Sequence, residues 1–252
     1  MRTLEVSPYG RAVHREIAMR KTLVVFIVLA WIVWRPITLN AAEPNALTEE
    51  DKKAGWKLLF DGKSLDGWQG ATRLWAVEDA KLSYRPQRAS EPLPGLAGRK
   101  LLSDRQYTDF ILRFEFKLDK GSNSGVAIRA PLEGDAAFVG MEIQVIDNDG
   151  WRSKLKPYQV HGSIYGVVPA KTGHLKPAGE WNTQEILCQG RHVRVTLNGT
   201  VITDANLNEV RPIDGKEHPG LKRDKGYLGF LGHTDRVEFR SIRIKELPRL
   251  KR

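Results

Sequence analysis

Cysteine is nearly absent from this chain. Cys188 is the only one in 252 residues, so no intrachain disulfide can form and the fold must stand on packing alone. Several catalytic signatures are missing too. There is no Rossmann or P-loop glycine fingerprint, no G-x-S-x-G nucleophile elbow and no His-x-x-x-His metal signature. Residues 43–252 carry no convincing helical stripe, no internal repeat and no low-complexity tract. A large charge excess is also missing. The chain has 40 Lys+Arg against 30 Asp+Glu, and six of the bases and two of the acids fall in residues 1–42, which leaves the remainder at +6 with interspersed signs. That balance gives no support to nucleic-acid binding.

The one long apolar run lies near the start. Arg20-Lys21 precede twelve apolar residues, Leu23–Trp34, followed by Arg35-Pro36 and the small-residue segment "LNAAEPN". This is the order of a basic region, an apolar region and a cleavage zone, here at Ala41–Ala42. Twelve residues fall short of the ~20 that span a bilayer. Residues 1–42 are therefore predicted to be an N-terminal extension and signal peptide, with Met19 as an alternative start. The exported domain, residues 43–252, is expected in the periplasm or outside the cell, with no stable membrane insertion after cleavage. An uncleaved signal anchor, with Trp31 and Trp34 at the interface, is the alternative.

Almost every later segment has period two. "FILRFEFKLD" (110–119) places Phe110, Leu112, Phe114, Phe116 and Leu118 on one face and Ile111, Arg113, Glu115 and Lys117 on the other. "SGVAIRA" (124–130), "MEIQVI" (141–146), "GYLGFLG" (226–232) and "RVEFRSIRIKEL" (236–247) read the same way. In "TQEILCQGRHVRVTLNGTVITDA" (183–205) three strands are joined by a Gln-Gly turn and by Asn198-Gly199, a strong hairpin signal because both residues accept positive φ. Many short strands with frequent turns predict an all-β antiparallel sandwich. Three long loops interrupt it: 85–99, 147–180 and 208–226. Loops of that length in a compact sandwich usually carry function.

The polar residues suggest where function sits. Glu115, Arg129, Glu142 and Gln144 are read as parts of one exposed polar face, rimmed by loops rich in Tyr, Trp and His. Such mixtures of carboxylates, amides and rings bind sugars. A solvated face of cross-strand ion pairs is the competing reading. His161 lies in "YQVHGSIYG" with Tyr158 and Tyr165 near it, and can exchange a proton near neutral pH. His233 ends an apolar strand. His174 and His218 read as surface residues. "DNDG" (147–150) misses the spacing of a calcium loop, so an Asx turn is the better reading, although a divalent metal such as calcium on Asp147 and a distant carboxylate stays open. In "EWN" (180–182), Trp181 is expected in the core, with Glu180 and Asn182 on the rim.

Taken together, "GWKLLFDGKSLDGWQG" (55–70), "FEFKLDKGSNSGVAIR" (114–129), "MEIQVIDN" (141–148), "YQVHGSIYG" (158–166), "GEWN" (179–182) and "GYLGFLGH" (226–233) resemble the 3-keto-disaccharide hydrolase domain family. The resemblance covers about residues 53–247. It implies a concanavalin/laminin-G-like jelly roll and hydrolysis of glycosides whose sugar is oxidised at C3. Carried onto this sequence, it points to Glu142, Asp147 and His161 as catalytic, with Arg129 and Glu115 supporting; Gln144, Tyr165, Glu180 and His233 are read from their own segments as further substrate contacts. A C3 ketone acidifies the C2 proton, so one base, one acid and one group to hold the enolate suffice. A conventional glycoside hydrolase using Glu115 and Glu142 as its two carboxylates is the first alternative. A carbohydrate-binding module without turnover is the second. A monomer is expected, since no coiled-coil stripe is present.

Overall fold

A computed structural model describes residues 43–85, 95–151, 153–233 and 235–249. The predicted signal segment (1–42) and most of the loop at 85–99 lie outside the described residues. Among the described residues no helix is long and apolar enough to cross a membrane.

Two antiparallel sheets pack face to face. In chain order the strands are β1 (Trp56–Leu58), β2 (Trp68–Gly70), β3 (Trp75–Glu78), β4 (Lys81–Tyr84), β5 (Lys100–Ser103), β6 (Phe110–Leu118), β7 (Asn123–Ala130), β8 (Met141–Ile146), β9 (Trp181–Gln189), β10 (His192–Leu197), β11 (Thr200–Asn206), β12 (Tyr227–Gly232) and β13 (Val237–Glu246). Two short helices, α1 (Glu49–Lys53) and α2 (Ala136–Val139), add to them. The larger sheet runs β11-β10-β9-β6-β13-β4-β3, and β1 shares the second edge of β13 with β4. The smaller runs β2-β5-β12-β7-β8.

The period-two pattern decides which side of each strand is buried. The five inward apolar residues of β6 are all buried, and Ile111, Arg113, Glu115 and Lys117 point away from the core. An aromatic cluster joins the sheets. Phe230 of β12 meets Phe114 of β6 edge-on at 5.7 Å and Phe239 of β13 at 4.2 Å. The Asn-Gly turn forms where expected, with φ of 49° at Asn198 and 85° at Gly199.

Strand β8 behaves differently. All six of its residues are buried, although three of them face away from the core. The reason is the long loop that follows. Segment 162–165 runs along the free edge of β8, with Gly162 N–H donating to the Gln144 carbonyl (2.8 Å), Gln144 N–H to Ser163 (3.0 Å) and Tyr165 N–H to Glu142 (2.9 Å). That covers an otherwise exposed edge and holds the loop over the outer face.

The sheet assignment corrects one expectation. Strand β6 belongs to the larger sheet, while β7 and β8 belong to the smaller. Glu115 and Glu142 therefore lie on opposite outer faces of the sandwich, with a core layer about 10 Å thick between them. They cannot flank one glycosidic bond.

Candidate active site

The outer face of the smaller sheet holds a cavity of about 280 Å³, at the lower end of the ~300–1,000 Å³ common for small-molecule sites. Its floor is made from adjacent strands. Lys100 comes from β5, Leu231, Gly232 and His233 from the end of β12, Asn123 from β7, and Glu142, Gln144 and Ile146 from β8. The walls come from the two flanking loops. One wall carries Asp135 and Phe138 around α2, together with Lys216. The other carries Trp151, Lys154, Leu155, Gln159 and Tyr165.

The position of Glu142 follows from its neighbours in the sheet. On β7, Gly125 lies beside Gln144, and Ala127 lies beside Glu142. A Cβ at position 125 would come within 2.6 Å of Glu142 Cδ and 2.7 Å of its Cγ. The missing side chain at Gly125 is thus the space in which the Glu142 carboxyl lies. The residue is 4% exposed, and burial, reinforced by the negative charge of Asp135, pushes its pKa up to about 8. At neutral pH this is a protonated acid.

A row of amides leads from it. With its amide oriented to satisfy both ends, Gln144 donates to Glu142 Oε1 and to the Ser124 carbonyl, each at 3.2 Å. The Gln144 and Asn123 amides meet at 3.3 Å, and Asn123 reaches His233 Nδ1 at 3.4 Å. Burial, helped by the Arg99 charge, lowers the His233 pKa, so the imidazole is neutral at pH 7. Glu142 and His233 stand two strands apart, with His233 four residues further along the sheet than the Ala127–Glu142 pair, and the Glu142 carboxyl leans over Gly125 toward it. Gly125 and Ala127 keep the floor between them low.

Lys100 is 8% exposed and donates to the Gly134 carbonyl at 2.7 Å. Burial lowers its pKa, against the opposing pull of Glu133 and Asp135. Tyr165 is half-buried, and its hydroxyl accepts from Gln159 Nε2 at 3.3 Å. Burial raises the phenol's pKa. Asp135 caps α2 by accepting from Ala137 N–H at 3.1 Å.

Of the residues singled out from the sequence, Glu142, Gln144, Tyr165 and His233 converge on this cavity. Five do not. His161 is in the core, stacked on Phe116 at 5.0 Å, with Nε2 2.8 Å from Gln184 Oε1 and Nδ1 accepting from Ile146 N–H. Burial drives its pKa down to about 4, so it is a neutral packing residue. Arg129 is 1% exposed and donates to the carbonyls of Arg223 and Gly190, facing Asp109 rather than the cavity. Asp147 accepts from the N–H groups of Gly121 and Asp149, which is an Asx turn. Glu115 pairs with Arg240 at 2.6 Å on the far sheet, and Glu180 is exposed at the start of β9. No group of three or more His, Cys, Asp or Glu that could hold a metal occurs among the described residues.

Three smaller expectations also change. Trp181 faces outward beneath Arg240, while Asn182 is the buried member of "EWN". His218 is buried and paired with Asp214 at 3.1 Å. The sequence reading missed Lys100, Asn123, Asp135, Phe138, Trp151 and Lys216. A glycine inside the strand "NSGVAIR" was the available signal, since glycine in a strand interior marks a close approach by another group.

A jelly-roll sandwich with a buried acid, a neutral imidazole and aromatic walls around a sugar-sized cavity belongs to the carbohydrate-active hydrolases. Residues 55–245 match the family described as the 3-keto-alpha-glucoside-1,2-lyase-like domain, and the chain belongs to that family. It is similar to a 3-keto-disaccharide hydrolase of Bacteroides thetaiotaomicron, with 27% identity covering 83% of this chain and 84% of that protein. Two crystal structures of putative glycosyl hydrolases from Parabacteroides distasonis also match. One has 27% identity and a TM-score of 0.69, covering 82% of this chain and 100% of the other. The second has 29% identity and a TM-score of 0.65, covering 76% and 99%.

Proposed function

We propose that this protein cleaves glycosides whose sugar carries a ketone at C3, by removal of the C2 proton, elimination of the C1 substituent and hydration of the product. The observation that carries the reading is Glu142, a carboxyl buried in the floor of a sugar-sized cavity, where burial pushes its pKa up to about 8. The name of the similar Bacteroides protein supports the substrate class.

The side chains divide the work as follows. His233 takes the C2 proton, and the freed electron pair moves onto the C3 oxygen as an enolate. Lys100 holds that oxygen through its ammonium. Collapse of the enolate forms the C1–C2 double bond and breaks the C1–O bond, while Glu142 protonates the departing oxygen. Water then adds its hydroxyl to C1 and gives its proton to the Glu142 carboxylate, and His233 returns a proton to C2. Tyr165 orients the sugar. We further propose that residues 1–42 direct the domain outside the cytoplasmic membrane and that it acts there as a monomer.

The cavity holds a second carboxylate, Asp135, so direct displacement at C1 by a Glu142–Asp135 pair is the competing reading. Isotope exchange separates the two. The released 3-keto sugar is made in heavy water, reduced rapidly and read by mass spectrometry against an enzyme-free control. Deuterium at C2 supports elimination. Turnover without it favours displacement, and glycan binding without turnover favours a binding module.

A further inference from the structure

The rim of the cavity carries more positive than negative charge: Lys154 and Lys216 stand on its walls against one carboxylate, Asp135. Three lysine ammoniums lie on aromatic rings of the surrounding loops: Lys154 over Trp151 at 5.7 Å and Lys216 over Phe138 at 4.7 Å, both lining the cavity, and Lys156 just outside it over Tyr158 at 5.8 Å, whose ring meets the lining Tyr165 at 6.1 Å. All three lysines are exposed. Among the described residues none of them is ion-paired to a carboxylate, although most surface arginines of this chain are. An ammonium held over a ring face gains from the ring's negative quadrupole and keeps its charge available to an incoming anion.

The loops that present these lysines are built in place. Lys216 stands in a turn tied down by Asp214, which accepts from the Lys216 N–H at 3.0 Å and meets the buried His218. Gly166 gives that pair its room, since a Cβ there would come within 2.6 Å of both partners. On the other side, Lys156 N–H donates to Gln159 Oε1 at 3.0 Å, and Gln159 in turn holds Tyr165 inside the cavity. Lys154 N–H donates to the Trp151 carbonyl at 2.7 Å. The facing aspartates keep their charges but are each held in place, away from the ammoniums. Asp135 caps α2, Asp214 serves its own turn, and Glu142 lies on the floor.

We propose that this lysine collar selects glycosides whose leaving group bears a negative charge, a carboxylate or a sulfate. The sugar occupies the floor between Glu142 and His233. The leaving group projects outward between the ring of Phe138 and that of Trp151, where its anion meets the ammoniums. The proposal rests on the reading above that the cavity takes a glycoside, but it does not depend on oxidation at C3.

Two sets of aryl glucosides test it. The first set is oxidised at C3 and carries 4-carboxyphenyl, 4-carbamoylphenyl or 4-sulfophenyl leaving groups. The carboxylate and the amide match in shape, and the sulfonate separates a demand for charge from a demand for a planar carboxylate. At low ionic strength kcat/KM for the carboxylate should exceed that for the amide by roughly tenfold, and salt should erode the gap. In the K154A/K156A/K216A variant the ratio should fall to about one. The second set is the unoxidised glucosides, followed by titration calorimetry. The same anion preference in affinity, lost in the variant, supports the collar even where no oxidised substrate turns over, an outcome that would count against the keto-sugar reading alone. Equal affinity for anion and amide, a preference that survives the three substitutions, or no binding of any of these glucosides overturns the collar.

Discussion

Gly125→Ala is the substitution that most directly tests how the acid is held. The three atoms nearest to the new Cβ all belong to the Glu142 side chain, with Cδ at 2.6 Å and Cγ at 2.7 Å. Ordinary contact begins near 3.4 Å. The carboxyl must therefore retreat by about 1 Å, and a displacement of that size at a reacting group can cost ~10²-fold in rate. The backbone at residue 125 is extended and carries no positive φ, so alanine fits the strand. Lower chain entropy in the unfolded state contributes about 0.4–1 kcal/mol of stability, and overpacking costs ~1–3 kcal/mol, so the fold persists. The displaced carboxyl leaves its dry slot and gains water. Its pKa, held at about 8 by burial in the parent, should fall toward the ordinary carboxylate range. Glu142 acts while protonated, so the alkaline limb of the kcat/KM profile should move to lower pH by one unit or more (roughly, from the burial contribution). The assay is a pH profile of 3-keto-glucoside cleavage for the parent, G125A, E142Q and the double variant. Once the acid has been removed, its misplacement costs nothing, so G125A should have little effect in the E142Q background. A parent-like rate and alkaline limb in G125A would refute the reasoning, and so would losses that simply multiply in the double variant.

The parent kcat/KM should be bell-shaped, rising as His233 loses its proton below pH 6.5 and falling as Glu142 loses its own near 8, and His233→Ala should remove the acid limb with a ~10²–10⁴-fold lower rate. Glu142→Gln should raise stability at alkaline pH. The folded carboxyl holds a proton that the unfolded chain releases near 4.5, so the parent loses stability as pH rises from there to about 8, and thermal melts of the variant should lack that slope. His161→Ala should do the reverse. It leaves turnover of the folded protein intact but costs about 2–4 kcal/mol in denaturant unfolding. It also abolishes the parent's loss of stability on acidification from pH 6.5 to about 4, where only the unfolded chain takes up that proton. N-terminal sequencing of the mature protein should begin near Glu43, and intact Leu23–Trp34 in a membrane fraction would mean a signal anchor.

Strand content and the sandwich were legible because alternation along β6, β9 and β13 is a local property. Which strands share a sheet was not. The alternation of β6 and that of β8 look alike, yet one set of polar residues faces solvent and the other lies under a loop. Glu142 and Gln144 were found because a carboxylate and an amide on one face of a strand are unusual. His161 misled for a reason general to histidine. A Gly/Tyr-rich loop gives no hint whether it folds over a sheet's outer face or tucks its imidazole between sheets, and here the Gln184 side chain, 23 residues away, draws it inward. Lys100 and Asp135 were invisible for the opposite reason. Each stands alone in its segment, and only the pairing of β5 with β12 and the packing of α2 bring them to Glu142.

The solitary Cys188 has a use at the bench. It is fully buried on the inner face of β9, and burial raises its thiol to about 11, so maleimides and other thiol reagents will pass it by. A cysteine introduced on an exposed loop would then be the single reactive thiol of the chain. Placed at Ile213, which is 53% exposed in the loop that presents Lys216, it would let an environment-sensitive fluorophore report glycosides entering and leaving, without first stripping the molecule of competing sulfhydryls.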